Sequence, residues 1–275
     1  MHVCSRRISL AALLMSTVIA AGAAGACATH ARNSVPPGTT QPDKFLFDRG
    51  TIELNNKKWL TAREFFKQVV ETYTASPYRP DAKLGLADTY LGENTSESLV
   101  LALNEFTEFL SFYPTNKRAD YAQYKVGMTH VKQMRTAQRD QTETRAAIKS
   151  FETFLDRYPS SSLMGEVKSR LRQTHDRLSD ADYQVGFFYY RARWYPGAID
   201  RFKTVLKADP EFTGRDAVYF FLGESLIKVK LNAEALPYFE RLVAEFERSQ
   251  YLEEARKLIA SLKADAQTKT GGPKP

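Results

Sequence analysis

Past residue 44 the apolar positions recur at helical spacing, and the clearest sign is a small and a large residue four apart, repeated five times. The pairs are Ala62/Phe66, Ala102/Phe106, Ala147/Phe151, Ala198/Phe202 and Ala235/Phe239. Four residues make about one helical turn, so each pair shares a face: alanine lets a neighbouring helix approach, and phenylalanine fills the space beside it. Each pair predicts the buried face of the second helix of a repeat.

Helix breaks fall in the same register. Pro114, Pro159 and Pro210 each follow one of the alanines by twelve residues, where proline ends one helix and opens the next. Sixteen residues after each phenylalanine a small or branched apolar residue returns, at Ala82, Ala122, Val167, Val218 and Ala255, to start the following helix. Gly50, Gly186 and Gly223 stand twelve residues before an alanine, with Tyr189 and Leu226 three residues after the last two glycines. This layout resembles the tetratricopeptide repeat, a helix-turn-helix of about 34 residues. The predicted fold is all-α: a right-handed superhelix of about five such repeats over residues 44–266, including an extra C-terminal helix from Tyr251 to Ala266. First helices would line a concave groove.

The register departs from the pattern in three places. Arg49 and Glu53 stand where apolar residues are preferred, so the first helix is expected to be half exposed. The second and third units are three and eight residues longer between their helices, from Ala87 to Ala102 and from Gly127 to Ala147, and loops are expected to absorb the excess. Ser162 to Leu178 adds a helical stretch that either stands alone or runs on into Tyr183–Arg193.

The first 26 residues read as a secretory signal: a basic start ending in Arg6-Arg7, an apolar run from Ile8 to Ala21, then small residues. Ala24-Gly25-Ala26 fits ordinary signal peptidase, while Gly25-Ala26-Cys27 resembles the end of a bacterial lipobox, with Ala24 where leucine is usual. Cys27 is the only cysteine after the leader, as a dedicated lipid attachment point would be, so anchoring is the favoured reading. Residues 27–43 are polar and proline-bearing and read as a flexible tether; residues 267–275 read as a disordered tail.

Composition adds limits. With 43% hydrophobic and 12% aromatic residues the chain supports a folded core, and with only Cys4 and Cys27 it has no disulfide framework. Lysines and arginines exceed acids by 39 to 32 but are scattered among them, which argues against a nucleic-acid partner. No GxSxG, Walker, HExxH or CxxC pattern occurs. His130 falls at a helix-packing position and His175 in a charged, exposed run, so neither a metal, a cofactor nor an enzyme is expected. Binding remains. Phe47, Leu84, Tyr124 and Met128 are expected to face the groove in the first three units, and Tyr183, Phe187 and Tyr190 in the fourth, where they suit an extended or helical peptide. Packing between repeats explains the same residues equally well.

A lipoprotein signal, a tether and five tetratricopeptide-like units together resemble the BamD family of outer-membrane protein assembly lipoproteins. The nearest segment is ADYQVGFFYYRARWYPGAIDRFKTVLKADP, Ala181 to Pro210, with support from FLFDRGTIELNNKKWLTAREFFKQVVETY and from Tyr113-Pro114 and Tyr158-Pro159. Ala208-Asp209-Pro210 departs from the Tyr-Pro ending common in that family. The resemblance implies a non-enzymatic part of the β-barrel assembly machinery, lipid-anchored at the periplasmic face of the outer membrane. It would hold the periplasmic domains of a BamA-like barrel subunit, join the other assembly lipoproteins and receive unfolded outer-membrane protein segments. Carried onto this chain, it implies Tyr183, Phe187, Tyr190, Arg193 and Arg201 for the barrel subunit. For substrate it leaves Phe47, Leu84, Tyr124 and Met128. The competing readings are another outer-membrane repeat lipoprotein, acting in pilus secretin assembly or envelope coordination, and a periplasmic enzyme with a helical active site.

Overall fold

All ten residues of the five Ala/Phe pairs are buried, none more than 1% exposed, in the computed structural model, which describes residues 35–270. The described residues form helices and turns, and the chain divides into two compact units between Tyr113 and Pro114. The first unit holds α1 (Pro42–Asn55), α2 (Trp59–Thr72), α3 (Arg79–Glu93) and α4 (Ser96–Phe112). The second holds α5 (Ala119–Gln133), α6 (Thr142–Arg157), α7 (Met164–Arg191) and α8 (Tyr195–Ala208). It continues with α9 (Arg215–Lys228), α10 (Asn232–Glu245) and α11 (Leu252–Thr270).

Helices pack in sequential pairs, α1 with α2, α3 with α4, α5 with α6, α7 with α8 and α9 with α10, and α11 lies against α10. The fold is therefore all-α and built from five helix-turn-helix repeats of the tetratricopeptide kind. The signature glycines explain the closeness of four of these pairs. A Cβ on Gly186 would lie 2.8 Å from the Phe202 ring, and one on Gly223 would lie 2.5 Å from Phe239. In the first, third, fourth and fifth repeats the phenylalanine of the second helix thus lies directly across a glycine of its first helix, Gly50, Gly127, Gly186 and Gly223.

Successive repeats are tied by a recurrent polar contact. The hydroxyls of Ser76, Ser161 and Ser249 each donate a 2.6 Å hydrogen bond to the carboxylates of Asp43, Asp120 and Asp216. Each serine oxygen also accepts the backbone N–H two residues on, from Tyr78, Leu163 and Tyr251, which fixes the turn. The aspartates stand seven residues before Gly50, Gly127 and Gly223.

The three-residue excess in the second unit goes into helix length, not into a loop. Only Asn94 and Thr95 separate α3 from α4. Asn94 takes a left-handed φ of 59°, and Thr95 caps α4 in a reciprocal pair with Ser98. The eight-residue excess of the third unit does form a loop, residues 134–141.

The stretch 164–191 is one continuous 28-residue helix. Its first half is held by Asp209, which accepts hydrogen bonds from the Arg172 guanidinium and, at 2.6 Å, from the Ser179 hydroxyl. Asp176 completes the tie by accepting from Arg172 at 3.1 Å and from the Thr213 N–H at 3.0 Å. An aspartate at the end of α8, where an aromatic would be usual, therefore anchors the long helix.

The first helix is half exposed, as expected, with Leu46, Gly50 and Glu53 buried and Glu53 lying 3.0 Å from Lys58 Nζ and 3.6 Å from Arg49. One further expectation is corrected. Helix α11 continues past residue 266 to Thr270, because the first breakers are Gly271, Gly272 and Pro273. The signal segment and Cys27 lie outside the described residues.

Candidate functional site

Tyr183, Phe187 and Tyr190 follow one another at helical spacing on the second half of α7, so they form a row on one face. That row meets Phe221 of α9, with ring centroids 6.5, 4.9 and 5.0 Å away. Phe221 in turn lies 5.5 Å from Tyr251, which also stacks on Phe220 at 4.7 Å. The Tyr190 hydroxyl donates to Glu224 Oε2 at 2.6 Å. All three residues of the row are half-buried and pack against the core of the second unit.

The two phenols of the row stay protonated far above neutral pH. Burial pushes Tyr183 up, aided by neighbouring Tyr251, Asp180 and Asp216. Burial also pushes Tyr190 up, and its hydrogen bond to the Glu224 carboxylate adds to this. Tyr190 therefore keeps the proton it donates to Glu224.

Arg193 and Arg201 are exposed, and no carboxylate among the described residues holds either one. Arg193 occupies the α7–α8 turn with φ 60°. Arg201 lies on α8 with its Cβ beside Gly186, at the α7–α8 contact and not in the aromatic row. The structure thus gathers the three aromatics with Phe221 and leaves the two arginines outside that row, one in the α7–α8 turn and one on α8.

The set expected to receive substrate is more dispersed. Phe47 is half-buried in the first unit, stacked on Tyr78 at 5.5 Å and 6.0 Å from Phe66. Leu84 is fully buried, which removes it from any groove. Its helix α3 is packed by α1, α2 and α4, so that eight of its fifteen residues are buried and no open face is left at Leu84. In the second unit Tyr124 is half-buried 6.4 Å from Phe151, with its hydroxyl 3.5 Å from Glu166. Met128 packs beside it on the cluster of Phe151, Phe154 and Val167.

Phe221, Glu224 and Tyr251 complete the aromatic row, yet sequence spacing had not singled them out. Glu224 follows the signature Gly223 directly, which is the available signal. His130 is paired with Glu143 at 2.8 Å, and His175 is half-buried where exposure was expected. No group of three His, Cys, Asp or Glu side chains among the described residues is placed to hold a metal. No helix among them is long and apolar enough to cross a membrane.

Comparison with known proteins gives a family match. The family described as "YfiO: Outer membrane lipoprotein" matches residues 39–222. Among similar proteins is the outer membrane protein assembly factor BamD of Caulobacter vibrioides, 25% identical over 226 residues, covering 82% of this chain and 72% of the relative. The BamD of Vibrio cholerae is 27% identical over 180 residues, covering 62% of this chain and 73% of the relative. That of Rickettsia prowazekii is 25% identical over 219 residues, covering 79% and 86%. Among solved structures, the MamA protein aligns with a TM-score of 0.34 at 18% identity, covering 76% of this chain and 94% of that one.

Proposed function

Because the chain belongs to the YfiO family of outer membrane lipoproteins, we propose that it is a non-enzymatic scaffold of the machinery that assembles β-barrels in the outer membrane. It is held at the periplasmic face by an acylated Cys27. The family match across the repeats carries this reading, and the BamD relatives, named as assembly factors, support it.

The partner surface is the fourth repeat. Tyr183, Phe187 and Tyr190 are half-buried on α7, and Arg193 and Arg201, which no carboxylate among the described residues holds, offer guanidinium groups to partner carboxylates. The partner is a BamA-like barrel subunit, engaged through its periplasmic domains, alongside other assembly lipoproteins. Unfolded outer-membrane protein segments are received by half-buried apolar side chains, Phe47 in the first unit and Tyr124 with Met128 in the second. Replacing Arg201 by Glu tests the partner surface. It should weaken co-purification of the barrel subunit while helicity stays unchanged; undiminished co-purification would refute the assignment.

A further inference from the structure

The turns inside the third, fourth and fifth repeats lie side by side along one edge of the second unit. The 134–141 loop borders the end of α7 across a shallow cleft lined by Gln138, Gln184, Phe187, Phe188, Arg191 and Ala192. The Tyr190–Glu224 bond sets the end of α7 beside the end of α9. The loop is built, not loose. Gln141 is buried, donates to the carbonyls of Thr136 and Arg139 at 2.9 Å each, and accepts the Thr144 hydroxyl at 2.7 Å.

This edge is cationic and apolar together. Arg135, Arg139, Arg191, Arg193, Lys228 and Lys230 are exposed, and no carboxylate among the described residues holds any of them. The nearby acids are occupied: Asp140 caps Thr142, Glu143 meets His130, Glu224 holds Tyr190 and Glu234 meets Lys203. Between the cations stand Phe188, Trp194 and Leu231, exposed by 66%, 56% and 44%. Arg193 and Lys230 adopt left-handed φ values of 60° and 65°. Both residues therefore place a long cation at a turn tip in a conformation that favours glycine.

Lysine and arginine interleaved with tryptophan, phenylalanine and leucine is the composition of a surface that rests on a membrane interface. Packed helices lie about 10 Å apart, so three adjacent turns make a broad row that fits a plane better than a single peptide. We propose that this edge of the second unit lies against an anionic phospholipid surface, with Arg135, Arg139, Arg191, Lys228 and Lys230 on headgroup phosphates and Trp194, Phe188 and Leu231 in the interfacial layer. Membership of an outer membrane lipoprotein family places such a surface within reach. The proposal goes beyond the scaffold reading and does not depend on which barrel subunit is held.

The test uses the full chain carrying Cys27→Ser, so that no acyl chain sits at that residue. Co-sedimentation is measured with vesicles of phosphatidylcholine alone and of phosphatidylcholine mixed with phosphatidylglycerol. Substituting Gln for Arg135, Arg139, Lys228 and Lys230 together should weaken binding to the mixed vesicles by about tenfold or more. Added salt should erase the difference. The leader is common to both chains and cancels. In a Trp59→Phe background, brominated acyl chains should quench Trp194 emission, a readout that needs no charge variant. Equal binding by the two chains, or unquenched Trp194, would overturn the proposal. So would a variant that keeps vesicle binding but loses a co-isolated protein, which would make the edge a protein interface. Arg201→Glu tests the scaffold reading separately, so the two can fail independently.

Discussion

The Tyr190 hydroxyl donates a 2.6 Å hydrogen bond to Glu224, joining the first helices of the fourth and fifth repeats at the end of the aromatic row. Tyr190→Phe keeps the ring against Phe221 but leaves a half-buried carboxylate without its donor. The variant should lose about 1 kcal/mol of stability. Urea unfolding of the full chain checks this, and an unchanged midpoint would show that water replaces the phenol at no cost.

Alkaline pH should weaken the second unit. Tyr183 and Tyr190 hold their protons more tightly in the folded state than in the unfolded chain, whose phenols ionise near about pH 10. A raised folded value contributes stability that is fully present below that pH and is lost as pH rises through the folded value. Urea midpoints should therefore fall steadily above about pH 10. Absorbance of ionised tyrosine should show these two phenols titrating after the exposed ones.

Gly223→Ala should cost about 1–3 kcal/mol, because the new Cβ meets the Phe239 ring at 2.5 Å and both lie in the core. Gly165→Ala is the matched control. Nothing lies within 4 Å of its would-be Cβ, so it should be neutral or slightly stabilising.

Asp209→Ala should destabilise by about 2 kcal/mol, since Arg172 and Ser179 lose their shared acceptor. Burial alone would raise the Asp209 pKa, but the hydrogen bonds from Arg172 and Ser179 outweigh it and hold the carboxyl below the usual range. A lowered folded value means that the contribution is present above about pH 4 and is lost as pH falls through the folded value. The parent chain should therefore lose stability on acidification in that window more steeply than Asp209→Ala. Parallel acid profiles would contradict the assignment.

The parts legible in the sequence were those set by local size and period. Ala198 and Phe202 announce their helix because a small and a large residue one turn apart have one common use, and Pro210 marks its end. Leu84 shows the limit. Helical period separates apolar from polar faces, but it does not tell a face turned to a groove from one covered on both sides by neighbouring helices. Glu53 shows another, since a charge is buried once Arg49 and Lys58 reach it. The Asp–Ser ties were invisible because their partners are 33 or 41 residues apart. The cationic edge was hidden for a similar reason: its residues come from three separate turns that only folding places side by side.

Affinity isolation of the full chain from outer membranes, with mass spectrometry of the bound proteins and of the bait's own N-terminus, tests the central claim most directly. The account predicts a BamA-like barrel protein in stoichiometric amount and a mature chain that begins at acylated Cys27. Isolation without any barrel subunit, or a mature chain beginning at unmodified Cys27 in the soluble fraction, would contradict it.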